Sequence, residues 1–404
     1  MHKPLCLALL LAASAAHALA ADDSTRNSGA DSTQQAKPAD SEEIQALAAL
    51  ADLQQRAAAG DADAQNNLGL LYKNGEGVAQ NYDKAREWYE KAAAQGDADA
   101  QNNLGALYAK GLGLPKNYGK AREWWEKAAA QGNAQAQYHL GLIYADGDGV
   151  PQDYAQAAAW FEKAATQGLA EAQYNLGISY TQGKGLPQDT TKAAAWFEKA
   201  ATQGIVQAQQ NLGAFYAKGE GVPLDTTKAH QWFEKAAAQG LAEAQYSLGL
   251  SYIHGQDYSK AREWLEKATA QDYAGAQFDL GVLYYKGQDV PRDFSKAREW
   301  FEKAAIQGDI QAQFSLGALY YNGEGVPKDI NKAREWWEKA AAQGYAKAQY
   351  NLGNFYSDGR GVPQDFAKAR EWYEKAAAQT DDKEIQQAAQ QALQKISQSS
   401  GNRP

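Results

Sequence analysis

Cysteine is almost absent: the 404 residues contain one, Cys6, within the apolar N-terminal stretch. Beyond it no thiol remains, which excludes a disulfide framework, a cysteine-ligated metal and a cysteine nucleophile. Histidine is nearly as scarce. Past the first twenty residues only His139, His230 and His254 occur, far apart, and there is no His-Glu-x-x-His. Nor is there a Gly-x-x-x-x-Gly-Lys-[Ser/Thr] phosphate loop, Gly183-Lys184-Gly185 being part of a turn, or the Ser-x-x-Lys of serine penicillin-recognising enzymes. Asp146, Gly147, Asp148 and Gly149 lack the ligand set and terminal Glu of an EF-hand calcium loop. Excess positive charge is missing too: the net charge is −9, which points away from nucleic acid, since phosphate binding needs clustered Lys and Arg. No catalytic, metal-binding or cofactor-binding residue can be named, and the expectation is a protein that is not an enzyme and carries no cofactor.

Long apolar runs are confined to the start. Lys3, the stretch from Leu5 to Ala16 and the small-residue site Ala18-Leu19-Ala20 read as a signal peptide over 1–20, cleaved before Ala21. The run is shorter than the roughly 20 residues a membrane span needs, so the mature chain is expected to be exported without an integral membrane segment. Residues 21–40 are Ser, Asp, Gln and Ala with little to bury, and a disordered leader is expected there.

What the sequence has in quantity is periodicity. Leu-Gly recurs with its glycine at Gly69, Gly105, Gly141, Gly177, Gly213, Gly249, Gly281, Gly317 and Gly353. Counted from Asp61, this gives nine units: 61–96, 97–132, 133–168, 169–204, 205–240, 241–272, 273–308, 309–344 and 345–380, the sixth being shorter by four residues. In the third unit Ala136, Leu140, Ile143 and Tyr144 fall at helical spacing. Gly147, Gly149 and Pro151 then break the helix, Asp153 caps a second one, and Gly168 stops it. Every unit has Asn or Asp at the Asp153 position. Seven prolines, from Pro115 to Pro363, share the inter-helix loop, where a missing N–H does no harm. The single helix in 41–60 and the segment 381–404 are expected to cap the two ends of the array.

Nine of eleven tryptophans, from Trp88 to Trp372, share one position, and a tyrosine ends every first helix. Such recurrence is expected of packing between stacked helix pairs rather than of a binding ladder. The helical glycine is tolerable if a second helix comes close, with Ala92 and Ala93 as the matching small surface.

The patterns Ala-x-x-x-Leu-Gly-x-x-Tyr, Gly-x-Gly-Val-Pro-x-Asp and Lys-Ala-x-x-Trp-[Tyr/Phe/Trp]-x-Lys-Ala-Ala-x-Gln-Gly resemble the Sel1-like repeat family, relatives of the tetratricopeptide repeats, over about 61–380. The resemblance implies an all-α fold, a right-handed α-solenoid of nine antiparallel helix pairs whose first helices line the concave side. It also implies adaptor or binding roles, often in exported bacterial proteins. A cysteine-rich branch of the family carries a disulfide in each repeat and a claimed affinity for penicillins. The lack of cysteine here sets this chain apart from it.

A ligand must then use positions that packing leaves free. At 100° per residue the third, seventh and fourteenth positions of each unit face away from the apolar side. The seventh reads Asn67, Asn103, His139, Asn175, Asn211, Ser247, Asp279, Ser315 and Asn351. An amide both donates and accepts, so this row is the candidate site for the backbone of an extended peptide or a protein partner. Three functional readings follow: an envelope adaptor, a secreted or surface factor that engages a host protein, and, with no residue to support it, a hydrolase acting on cell-wall peptides or β-lactams. In the sixth unit Gly255-Gln256-Asp257 replaces the full loop and Asp272 the terminal glycine, so altered curvature is expected over 241–280.

Overall fold

A computed structural model describes residues 41–401, and these form twenty helices and no strand. The expected signal peptide (1–20) and leader (21–40) lie outside the described residues. A single helix, α1 (Ser41–Ala58), precedes four pairs: α2 (Ala62–Asn74) with α3 (Tyr82–Ala94), α4 (Ala98–Lys110) with α5 (Tyr118–Ala130), α6 (Ala134–Asp146) with α7 (Tyr154–Thr166), and α8 (Ala170–Gln182) with α9 (Thr190–Thr202). Five pairs follow: α10 (Val206–Lys218) with α11 (Thr226–Ala238), α12 (Ala242–His254) with α13 (Tyr258–Thr269), α14 (Ala274–Lys286) with α15 (Phe294–Ile306), α16 (Ile310–Asn322) with α17 (Ile330–Ala342), and α18 (Ala346–Asp358) with α19 (Phe366–Ala378). The last helix is α20 (Lys383–Gly401). The chain falls into two compact units, one running to Ala208 and including Glu220–Val222, the other comprising Gln209–Gly219 and everything from Pro223. The division lies in α10, ahead of the shortened sixth repeat.

Local chemistry accounts for the helix ends. In all nine repeats the Asn or Asp before the second helix accepts a backbone N–H of its first turn, as Asn81 does from Lys84 at 2.9 Å and Asp153 from Ala155 and Gln156 at 3.0 Å. First helices usually end on a left-handed glycine such as Gly147 (φ 77°). The sixth repeat departs from this rule. Gln256 (φ 59°) and Asp272 (φ 58°) adopt the left-handed conformation without being glycine, and so does Asp289 (φ 64°) in the seventh.

Within the first unit each core cluster joins the second helix of one repeat to the first helix of the next. Ala85, Tyr89, Ala92 and Ala93 of α3 pack with Ala100, Leu104 and Leu107 of α4. At the start Leu53 and Ala57 of α1 play the second-helix part against Leu68 and Leu71. In the second unit Ala389 and Ile396 of α20 complete the cluster of Ala369, Tyr373 and Ala376 on α19. Both end helices thus cap the array by standing in for half a repeat.

The recurrent tryptophan is not the deepest ring. The residue after it (Tyr89, Trp125, Phe161, Phe197, Phe233, Leu265, Phe301, Trp337 or Tyr373) is buried, whereas the tryptophan is half-buried. Trp124 packs on the α3–α4 cluster, and its ring also carries the ammonium of Lys127 at 4.0 Å. The same Lys-on-Trp contact, at 3.6 to 4.2 Å, occurs in every repeat. The variable neighbour also explains the Leu-Gly glycine. A Cβ on Gly177 would lie 2.6 Å from the Phe197 ring, so the close approach is to an aromatic rather than to the alanines the sequence suggested.

A further contact was not anticipated. The fourth residue of each first helix, fifth in the repeat, is a buried glutamine. In the fourth repeat Gln173 donates to the Ala165 carbonyl of the preceding second helix (3.2 Å) and accepts from Gln203 at the end of its own second helix (2.8 Å). The glutamine-to-glutamine bond recurs through Gln343 to Gln313, at 2.8 to 2.9 Å. It stops at the last repeat, where Gln379 is extended (ψ 133°) and Gln349 Oε1 is buried without a partner.

Candidate functional site

All nine seventh-position residues lie on first helices and all are half-buried. Each precedes a buried leucine, which fixes its direction. Several are tied to the sixth position of the repeat before. Asn103 Nδ2 donates to Asn66 Oδ1 at 3.0 Å, Asn175 Nδ2 to the Tyr138 hydroxyl at 3.3 Å, and Gln210 Nε2 to Ser247 Oγ at 3.0 Å. The Tyr246 hydroxyl hydrogen-bonds Asp279, and His139 stacks on Trp125 with ring centroids 4.6 Å apart. The row is therefore also a seam between successive first helices. Among the described residues no link of this kind reaches Asn67, Ser315 or Asn351. The sixth-position partners were missed because the bond spans 37 residues and the sixth position varies among Asn, Tyr, Gln and Phe.

Two members of the row titrate abnormally. Burial, assisted by the charge of Lys110, holds His139 down at about 4, so its ring is neutral near pH 7. Burial pushes Asp279 up to about 6; the Tyr246 hydroxyl and Lys286 oppose this, while the charge of Asp309 adds to it.

Clefts flank the row. Beside Asn351 a cleft of about 250 Å³ has Phe314, Trp337 and Phe355 on its walls and Asn354 and Arg360 at its rim. Asn354 Oδ1 accepts from the Tyr373 hydroxyl at 2.7 Å. A second cleft of about 460 Å³ exposes Asp279 and Asp309 beside Tyr246 and Gly275. Chemically this is apolar ground with amides and isolated charges, suited to noncovalent recognition. No group of three or more His, Cys, Asp or Glu among the described residues could hold a metal ion. No described helix is long and apolar enough to cross a membrane.

The Sel1 repeat family matches nine consecutive segments, 62–97, 98–133, 134–169, 170–205, 206–241, 242–273, 274–309, 310–345 and 346–381. The chain belongs to the Sel1 repeat family. Among solved structures it is similar to c5321, a protective antigen of uropathogenic Escherichia coli strains with this repeat fold. Identity is 32% over 88% of this chain and 86% of that one, with a TM-score of 0.64. It is also similar to a Sel1 repeat protein from Oxalobacter formigenes, at 32% identity over 82% of this chain and 99% of that one, with a TM-score of 0.55. A comparison with curated protein sequences gives no match. Membership of the Sel1 family makes the chain a helical-repeat scaffold related to the tetratricopeptide repeats, and neither similar structure is described as an enzyme.

Proposed function

We propose that this Sel1 repeat protein is an exported, non-enzymatic scaffold of the bacterial cell envelope that binds an extended peptide or a partner protein along the concave side of its first helices. The observation that carries the reading is the seventh-position row: nine polar side chains, each half-buried and held in direction by the leucine beside it, at one register on successive first helices. Asn67, Ser315 and Asn351 keep their donors and acceptors free for a ligand backbone, and the aromatic cleft beside Asn351 offers room for a side chain. Export rests on the signal-peptide pattern of residues 1–20.

The test is capture from envelope extracts with the purified protein and with a variant carrying Ala at Asn67, Ser315 and Asn351, a choice that leaves the inter-repeat bonds of Asn103 and Asn175 intact. Loss of a partner from the variant, with helicity unchanged by circular dichroism, supports the row as the binding surface. Equal capture by both proteins refutes it. A second reading, a secreted or surface-displayed factor that engages a host protein, is favoured by the similarity to a protective antigen. Fractionation separates the two, since periplasmic retention supports the adaptor and surface exposure or release the host factor.

A further inference from the structure

Between the first and second repeats lies a cleft of about 420 Å³ that holds two lysines and no acid. Lys73, next to last in α2, and Lys110, at the end of α4, both line it, together with Asn74, Tyr82, Ala106 and Leu112. Lys73 is half-buried. Burial and the like charge of Lys110 hold its ammonium below the usual lysine range, with only Glu76 pulling the other way. That carboxylate is itself engaged, accepting from Asn74 Nδ2 at 2.8 Å. Neither lysine forms an ion pair among the described residues.

The repeats make this arrangement informative, because the same positions can be compared along the chain. Lys73 is the thirteenth residue of its repeat, and elsewhere that residue is Ala, Thr, Ile, Tyr or Ser. The thirteenth residue reaches the sixteenth of the next repeat. Tyr285 donates from its hydroxyl to Glu324 Oε2 at 3.1 Å, and Arg360 donates to the Tyr321 hydroxyl. For Lys73 the corresponding residue is Leu112, 39 positions on. The sixteenth position is acidic in four repeats (Glu76, Asp148, Glu220 and Glu324) and apolar only here. The one repeat junction with a lysine at the thirteenth position therefore lacks the acid that position could supply. Packing gains nothing from two repelling ammonium groups, whereas an anionic ligand gains two charge-assisted donors, one half-buried at Lys73 and one exposed at Lys110.

We infer that the Lys73–Lys110 cleft binds a carboxylate of the ligand, an Asp or Glu side chain of the bound peptide, seated between the two ammonium groups with its apolar stem against Leu112 and Tyr82. The identity of that ligand rests on the peptide-binding reading above. The carboxylate takes the place of the missing residue-sixteen acid, and Lys73 regains a counter-charge.

The test uses the full chain labelled with 13C at lysine Cε, with the Lys73 and Lys110 signals assigned by Lys73→Arg and Lys110→Arg. Glutarate is titrated in, with neutral glutaramide and inorganic phosphate as parallel probes. Free Lys73 should titrate below the ordinary lysine range and return to it on saturation with glutarate. Lys110 should shift in step, whereas lysines that lie outside the cleft should not. Glutaramide should do nothing. Leu112→Glu, which supplies the acid internally, should abolish the glutarate response, and Leu112→Gln should keep it. An absent response, equal loss in both Leu112 variants, or a stronger response to phosphate overturns the proposal. Because the probe is a small dicarboxylate, an absent glutarate response alongside row-dependent partner capture sinks this cleft and leaves the peptide-binding reading standing; the converse pair of results sinks the reading alone.

Discussion

Replacing Gln173 by methionine isolates the contribution of the buried glutamine. Methionine keeps the length and roughly the volume, so the change removes two hydrogen bonds with little loss of packing. One bond runs to the Ala165 carbonyl, which still accepts from the Gly168 N–H at 3.0 Å; the other comes from Gln203 Nε2, which still donates to the Gly168 carbonyl at 3.0 Å. Neither partner is orphaned, so the cost is two net hydrogen bonds of about 1 kcal/mol each, without the further 1–3 kcal/mol of a stranded buried group. The expected destabilisation is about 1–2 kcal/mol. Gln349→Met loses one bond to the Ala341 carbonyl but also removes a buried acceptor that has no partner, so it should be close to neutral or stabilising. Urea unfolding followed by circular dichroism measures both. Because neighbouring repeats are stabilised through their shared interfaces, Gln173→Met should also broaden the transition by weakening one junction. In a double-mutant cycle with Gln203→Met the two changes should couple by about 1 kcal/mol. A cost below about 0.5 kcal/mol for Gln173→Met, with no coupling to Gln203, would refute the view that Gln173 ties its own helix pair together and anchors it to the preceding repeat.

Three further outcomes are expected. Phe161→Ala should cost about 3–5 kcal/mol and Trp160→Ala distinctly less, because the phenylalanine is buried and the tryptophan only half so; equal losses in thermal unfolding would contradict the assignment of core depth. Asp272→Gly should raise stability by about 1 kcal/mol by relieving a left-handed backbone, seen as a higher melting temperature. Asp279 has a folded-state pKa raised from 3.8 to about 6, so the native state binds the extra proton and stability falls as pH rises between these values. Asp279→Asn should remove that slope, gaining up to about 3 kcal/mol on the parent at pH 7 and losing the advantage towards pH 4; parallel stability–pH curves for the two proteins would refute the burial of this carboxyl.

The fold was legible because every signal repeats. Leu-Gly, the loop proline and the Asn or Asp cap each recur at a fixed spacing, and nine copies make the helix pair unmistakable. Burial was harder to read. The invariant Trp88 position suggested the core, yet the variable neighbour at Tyr89 is deeper. Invariance there reflects the Trp packing on a neighbouring cluster while carrying a lysine, whereas several different rings can fill the space over the glycine. Gln65 and its equivalents were passed over because an isolated polar residue on a helix looks solvated. Only the structure brings it within reach of a carbonyl eight residues back and an amide thirty residues on. For the candidate site, the sequence identified the row from helical phase alone. That several of its members also bond to the repeat before was hidden, since nothing local marks a partner 37 positions away.

The glutamine bonds also govern how such a chain can change length. In the sixth repeat four residues are missing, yet Gln271 still donates to Gln245 at 2.9 Å, across 26 residues in place of 30. The deletion lies in the loop between the two helices, inside the stretch from Gln245 to Gln271, and the shorter loop takes it up while both glutamines keep their bond. Eight of the nine repeats close the same glutamine pair within themselves, so the pair does not depend on which copy follows. Duplication or loss of a whole repeat therefore leaves the glutamine pair intact in each retained copy, so this bond places no limit on lengthening or shortening the array by recombination. A shift of one residue inside a helix has no such freedom, because it would turn the glutamine away from both partners at once.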